Sequence, residues 1–119
     1  MLTLNDLNKE VLNFSDNLIF ITEKNGKILF VNNSCLQTLR YSKNEIQKLD
    51  FLSLFPSEVQ NEIVKIIENV FDTPNNCQSN VSLCSKNGSF IPVEAKFSLL
   101  KNGKSSAVIN CCKVIANGN

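Results

Sequence analysis

Cys35, Cys77, Cys84, Cys111 and Cys112 carry the readiest nucleophilic and redox chemistry in this sequence. An odd number of cysteines at irregular spacing argues against a disulfide framework, and a free cysteine behaves as a small buried hydrophobe. Cys111 and Cys112 are adjacent, and neighbouring side chains on a strand point to opposite faces. They therefore make a poor chelate and a poor disulfide, and the expectation is one core thiol and one outer thiol. Cys77 falls in a predicted loop, 72–77, and with Cys112 is the candidate for a thiol-based redox sensor. No cation stands beside Cys77 in the sequence to raise its thiolate fraction. Histidine is wholly absent, which removes the usual haem ligand, general base and imidazole metal ligand. Neither a converging carboxylate pair nor a glycine-rich phosphate loop is evident. The expectation is a protein that is not an enzyme and has no metal site.

The elements that would position such residues begin with a repeated tripeptide. Lys-Asn-Gly occurs at 24–26, 86–88 and 101–103. Asn-Gly is a strong signal for a tight hairpin turn, because both residues tolerate positive φ. The first copy lies between LIFIT (18–22) and KILFV (27–31). The second separates NVSLCS (80–85) from FIPVEAKFSLL (90–100), and the third leads to SSAVINCCKVI (105–115). Ile91, Val93, Ala95, Phe97 and Leu99 alternate with Pro92, Glu94, Lys96 and Ser98, as a strand buried on one side requires. The pattern predicts one early hairpin and a late three-stranded meander.

Between these groups the apolar period changes from two to about 3.6. Asn32, Asn33 or Ser34 can cap a short helix carrying Cys35, Leu36 and Leu39, whose end at Arg40 suits the negative pole of the helix. Ser42 and Glu45 form a capping-box pattern for a second short helix holding Ile46 and Leu49. After the turn-like stretch 50–55, Pro56 sits at the start of a longer helix from Ser57 to about Phe71, with Val59, Ile63, Ile66, Ile67 and Val70 as its apolar stripe. At the N-terminus Leu4, Leu7, Val11, Phe14 and Leu18 recur at spacings of three and four, a seam over two heptads. The expected organisation is an amphipathic capping and dimerisation helix at 1–17, one domain at 18–115 and a tail at 116–119.

A chain of 119 residues is one domain's worth, and 43% hydrophobic with 19% charged residues is an ordinary globular composition. A formal net charge of +1 leaves no electrostatic footprint for nucleic acid. Neither a signal peptide nor an apolar run of about 20 residues is present, so the expectation is a cytoplasmic protein without membrane insertion. Eleven lysines against one arginine, with abundant Asn and Ile, suggest an AT-rich coding genome.

In this order the residues resemble the PAS sensor domain family. The stretch IFITEKNGKILFVNNS (19–34) is similar to the family's first two strands, with Glu23 where Asp is usual, then Gly26 and Asn32. Tyr41-Ser42-Lys43-Asn44-Glu45-Ile46 matches its Y-S-x-x-E step, and Lys86 to Glu94 matches its K-x-G-x-x-x-P-V-E hairpin. The likeness covers roughly 16–115. Two departures stand out: Gln47 and Lys48 replace a glycine that often follows the short helix, and Cys111 to Ile115 replaces the common Asp-Ile-Thr end. The chain also stops at Asn119, which is expected either of an excised module or of one that works through a partner.

The resemblance implies an α+β fold, a five-stranded antiparallel sheet in order 2-1-5-4-3. Several short helices and one longer helix would pack on one face, with an N-terminal capping helix added. It implies a sensory, signal-transducing module of the kind found in two-component systems. Such a module would act through dimerisation and small-ligand binding on an attached or partner effector: a histidine kinase, a cyclic-dinucleotide enzyme or a transcription regulator. The alternatives are a thiol redox sensor and an interaction module with no ligand. A ligand would lie between helices and sheet, against Asn32, Cys35, Leu39, Phe55, Val59, Ile63, Ile67, Val81, Leu83, Val93, Ala95 and Ile109. Asn32, Ser53 and Asn110 are the polar candidates there. Dimerisation would use Leu4, Leu7, Val11 and Phe14. The stretch 49–55 lacks the cysteine of the family's flavin photosensors and Trp is absent, so neither haem held by His nor flavin photochemistry is expected. The cleft would hold a small apolar ligand or none.

Overall fold

The strand through 91–99 alternates apolar with polar residues, the strand at 18–22 is buried along its whole length, and helices with an apolar stripe close one side of the sheet they share. The structure, a computed structural model, describes residues 6–73 and 76–115. Its elements are α1 (Asp6–Asn13), β1 (Leu18–Thr22), β2 (Ile28–Val31), α2 (Asn33–Leu39), α3 (Lys43–Gln47), α4 (Gln60–Asp72), β3 (Cys77–Cys84), β4 (Phe90–Asn102) and β5 (Ser105–Val114). Two 3-10 turns, Phe51–Leu54 and Ser57–Val59, lead into α4. The five strands form one sheet in the order β2-β1-β5-β4-β3, with every neighbouring pair antiparallel. This is the expected architecture.

Register decides which side chains reach the core. Phe97 opposes Asn110, Ala95 opposes Cys112, and Phe20 and Leu18 oppose Asn110 and Cys112 from the other side. These residues face the helices, where Ile63, Ile67 and Val70 of α4 are buried with them. Phe20, Phe51, Phe55 and Phe97 are the largest fully buried side chains. Phe51 joins Phe20 and Phe55 at ring-centroid distances of 5.3 and 5.1 Å, tilted and edge-on, the arrangement that aromatic quadrupoles favour.

Three expectations change. The N-terminal helix ends at Asn13, where the Phe14 amide reaches back to Glu10 O and Val11 O. Leu18 is a buried strand residue and not the last member of a helical seam. The run Asn13-Phe14-Ser15-Asp16-Asn17 is poor in helix formers, and within it Ser15 Oγ accepts from the Asn17 amide, a local turn that competes with helix. Leu4 and the side chain of Leu7 lie outside the described residues. Next, Cys77 opens β3 opposite Phe97 and is half-buried against the core, so it is not in a loop. Last, the helix expected from Ser57 begins as a 3-10 turn and becomes α-helical at Gln60.

The Lys-Asn-Gly repeats also differ from expectation in detail. At the first, the Glu23 amide donates to Lys27 O at 2.9 Å and the Gly26 amide to Glu23 O at 3.0 Å. The second repeats this, from Ser85 to Ser89 O at 2.9 Å and from Gly88 to Ser85 O at 3.0 Å. Both are three-residue loops in which only the glycine is left-handed, with φ +92° at Gly26 and +87° at Gly88. Among the described residues Arg40, the C-cap of α2 (φ 66°), is the one non-glycine with positive φ. The turn asparagines bind forward instead: Asn25 Oδ1 accepts from the Lys27 amide and Asn87 Oδ1 from the Ser89 amide. At the third repeat Asn102 pairs with Ser105, leaving Gly103-Lys104 as a two-residue turn.

Gly26 carries a second constraint. Its carbonyl accepts from the Phe51 amide at 2.9 Å, and a Cβ placed on it would sit 2.5 Å from Asp50 Oδ1. That oxygen also caps the first 3-10 turn through the Leu52 amide. A Cβ on Gly88 would meet nothing within 4 Å. Gly88→Ala should therefore cost only the left-handed strain, about 1 kcal/mol, and Gly26→Ala on the order of 2–3 kcal/mol. Urea denaturation checks this, and equal losses would contradict the close packing of Gly26 on Asp50.

Candidate functional site

The space between α2–α4 and the sheet is where the sequence placed a ligand. Cys35, Leu39, Phe55, Ile63, Ile67, Leu83, Val93 and Ala95 all meet in one buried cluster, and Val59 and Val81 pack on its margin. Ile109 does not join them. It opposes Ile21 and Ser98 on the far face of the sheet, because Phe97 pairs with Asn110 and turns Val108, Asn110 and Cys112 toward the helices. The cluster is closed on itself by the four buried phenylalanines, with Leu18 and Leu54.

The polar candidates separate. Ser53 is exposed and donates to Asp50 O at 2.6 Å, away from the interior. Asn110 is fully buried, donates from Nδ2 to Lys96 O at 3.1 Å and accepts from the Cys112 thiol at 3.1 Å. Thr22, which sequence reasoning missed, has the one buried side-chain oxygen or nitrogen without a hydrogen-bond partner among the described residues. It faces inward opposite Val108 and Ile28. Nothing in a threonine ending a β-branched strand distinguishes an inward hydroxyl from an outward one.

Asn32 is the centre of the polar structure. It follows β2 directly, is fully buried, and is the N-cap of α2. Its Oδ1 accepts from the Ile19 amide at 3.0 Å and the Cys35 amide at 3.3 Å. Its Nδ2 donates to Leu12 O and Asn17 O, each at 2.9 Å. Both ends of one amide are therefore consumed, joining α1, the α1–β1 connection, β1 and α2. Around it Asn13 Oδ1 accepts from the Asn33 amide at 2.8 Å, and Ser34 Oγ donates to Ser15 O at 2.7 Å.

A second tie holds the β3–β4 turn to the short helices. The Lys86 amide donates to Leu39 O at 2.8 Å, and the Lys86 ammonium meets Glu45 Oε2. Glu45 also completes the capping box with Ser42. The hydrogen bond from Lys86, followed by the one from the Ser42 backbone, holds the Glu45 carboxyl below its usual range. Both side chains are well exposed, so this pair steers the turn more than it stabilises the fold.

The thiols follow burial. Cys35 donates to Ile19 O and Asn32 Oδ1, and burial pushes its thiol up to about 12. Burial likewise raises Cys112 far above the ordinary range, and raises Cys84 more mildly, with the Glu58 carboxylate adding to it. Cys111 is half-buried on the outer face at 3.7 Å from Asn17 Nδ2. The expected split of Cys111 and Cys112 between two faces is thus observed. Among the described residues no three of His, Cys, Asp and Glu converge as a metal site would need.

This arrangement has known counterparts. The family model described as PAS domain matches residues 16–115. The chain belongs to the PAS domain family. Solved PAS domains share its fold. One from Desulfitobacterium hafniense superposes with a TM-score of 0.77 at 21% identity, covering 89% of this chain and 99% of that one. The PAS domain of an HTR-like protein from Haloarcula marismortui gives a TM-score of 0.81 at 14% identity, covering 92% and 89%. A domain of a sensory box sensor histidine kinase/response regulator from Geobacter sulfurreducens gives 0.75 at 17% identity, covering 91% of each chain. Among curated proteins, none matches this sequence. In this PAS domain the family-like residues have visible work. Gly26 makes the first turn, Asn32 joins four segments, Ser42 and Glu45 close a helix, and Lys86 docks the second hairpin.

Cys35 and Cys112 should resist a water-soluble thiol reagent at about pH 8 until the PAS domain unfolds. Their folded pKa values are raised, so their contribution to stability is fully present below the ordinary thiol value of 9.0 and is lost as pH rises from there toward about 12. Urea midpoints measured at increasing pH should fall across that window, and fall less in the Cys35→Ala, Cys112→Ala variant. Rapid labelling of both thiols in the native state would contradict their burial.

Proposed function

We propose that this PAS domain is a non-catalytic sensory module that transmits a signal by rearranging a homodimer built on α1. The observation that carries the proposal is the exposure of Val11 (61%) and Phe14 (86%) at the end of a helix that Asn32 ties to the domain. Large apolar side chains left in water beside a fixed anchor suit burial against a second copy, and a two-fold dimer is the commonest closed assembly. The effector is an output domain of the same polypeptide or a partner signalling protein: a histidine kinase, a cyclic-dinucleotide enzyme or a transcription regulator. The Geobacter sulfurreducens counterpart, whose description names a sensor histidine kinase/response regulator, supports the first of these. Among the described residues no helix is long and apolar enough to cross a membrane.

A second mode is favoured by Thr22. Its unpartnered inward hydroxyl would hydrogen-bond a small, mainly apolar ligand in a state whose phenylalanine-filled core has opened to admit one. The redox alternative has less support, because Cys112 is buried and protonated and Cys77 lies on a paired strand.

Val11→Asp with Phe14→Asp should convert a dimer at micromolar concentration to a folded monomer, since both side chains are already exposed. Sedimentation velocity reads the result. A wild-type protein that is monomeric at high concentration would overturn the proposal, as would a double variant that stays dimeric.

A further inference from the structure

Beside edge strand β2 runs a groove of about 370 Å³, outside the interior and bordered by residues of α1, α2 and α3. Ile21, Leu29, Phe30 and Leu36 give it an apolar floor. Lys9 of α1 and Lys43 of α3 stand on its lining, both exposed, and among the described residues no Asp or Glu lines it. The floor is built by an irregularity in the strand. Phe30 opposes Ile21 and Ile28 opposes Thr22, so Leu29 is one residue too many for the pairing. A bulge of this kind re-aims a side chain and breaks the edge of a sheet. Here it leaves Leu29 and Phe30, consecutive and only half-buried, on the same groove.

An edge strand is ordinarily shielded by charge or a covering element. This one instead presents apolar side chains next to two cations in a concavity of small-molecule size. Among the described residues the charge is one-sided, which selects an anion, and the floor selects an apolar body behind it. We propose that the groove binds a small amphipathic carboxylate, its headgroup held by Lys9 and Lys43 and its body lying on Leu29 and Phe30. Such a ligand touches α1 and the domain at once. The junction it spans is the one where Asn13 Oδ1 accepts from the Asn33 amide and Asn32 holds Leu12 O. Binding therefore stabilises one placement of α1 on the PAS domain. The site is separate from the interior, and binding there does not require a dimer.

The probe is decanoate, titrated into the full chain below its micellar concentration and followed by amide chemical shifts, with decanol as its neutral counterpart. Saturable binding is expected, with shifts confined to α1, β2 and α3. Decanol should bind at least about tenfold more weakly, and Lys9→Gln with Lys43→Gln should weaken decanoate by at least about tenfold, a loss of about 1.4 kcal/mol. Both lysines are exposed, so circular dichroism of the variant should match wild type. Four results would each overturn the proposal: no saturable binding, equal binding of decanol, no effect of the double substitution, or shifts centred on α4 and β4.

Discussion

One buried side-chain amide sets the geometry on which the rest of this PAS domain depends. Asn32 stands where β2 becomes α2, and its hydrogen bonds from the Ile19 and Cys35 amides and to Leu12 O and Asn17 O tie that point to β1, α1 and the linker between them. A buried amide left unpaired costs on the order of 1–3 kcal/mol per group, so each bond must be made by the native arrangement and by no other. Aspartate would keep the acceptor and lose the donor, and leucine would lose both. Only an amide satisfies N–H groups on one side and carbonyls on the other.

The packing beneath Asn32 gives that junction its consequence. Four phenylalanines and the α4 stripe fill the interior, and close-packed cores shift between discrete arrangements instead of deforming smoothly. A disturbance in the core, at the Thr22 hydroxyl for instance, reaches β1 first. From Ile19 the next hydrogen bond leads to Asn32 and then to Leu12 O on α1. The opposite end of the sheet is secured independently, where Lys86 docks on Leu39 O and Glu45. The domain thus has one fixed corner and one corner joined to its terminal helix.

Much of this was legible in the sequence, for identifiable reasons. Strand β4 separates apolar from charged residues so cleanly that its buried face could be read directly, and the Ser42–Glu45 box announced its helix. Strand β5 gave no such separation. Val108 and Ile109 are both apolar, as are Cys111 and Cys112, and only pairing with β1 and β4 decides that Ile109 faces away. The length of α1 was illegible because the apolar spacing runs on through Phe14 to Leu18, across a change from helix to strand. Cys77 read as loop because the residues before it are turn formers, while its pairing with Phe97 is a long-range event. Asn32 was recognisable as one of three caps. That its amide would also hold α1 required the fold, because Leu12 and Asn17 lie 20 and 15 residues away.

Amide hydrogen exchange on Asn32→Asp tests most directly whether Asn32 holds α1 to the rest of the PAS domain. Aspartate can still accept from the Ile19 and Cys35 amides but cannot donate to Leu12 O and Asn17 O as the amide does. Exchange should quicken through residues 10–17 while the amides of α2 and of β4 and β5 keep their protection. Unchanged protection of α1, or an equal loss of protection in α1 and α2, would show that the helix is held by something other than this side chain.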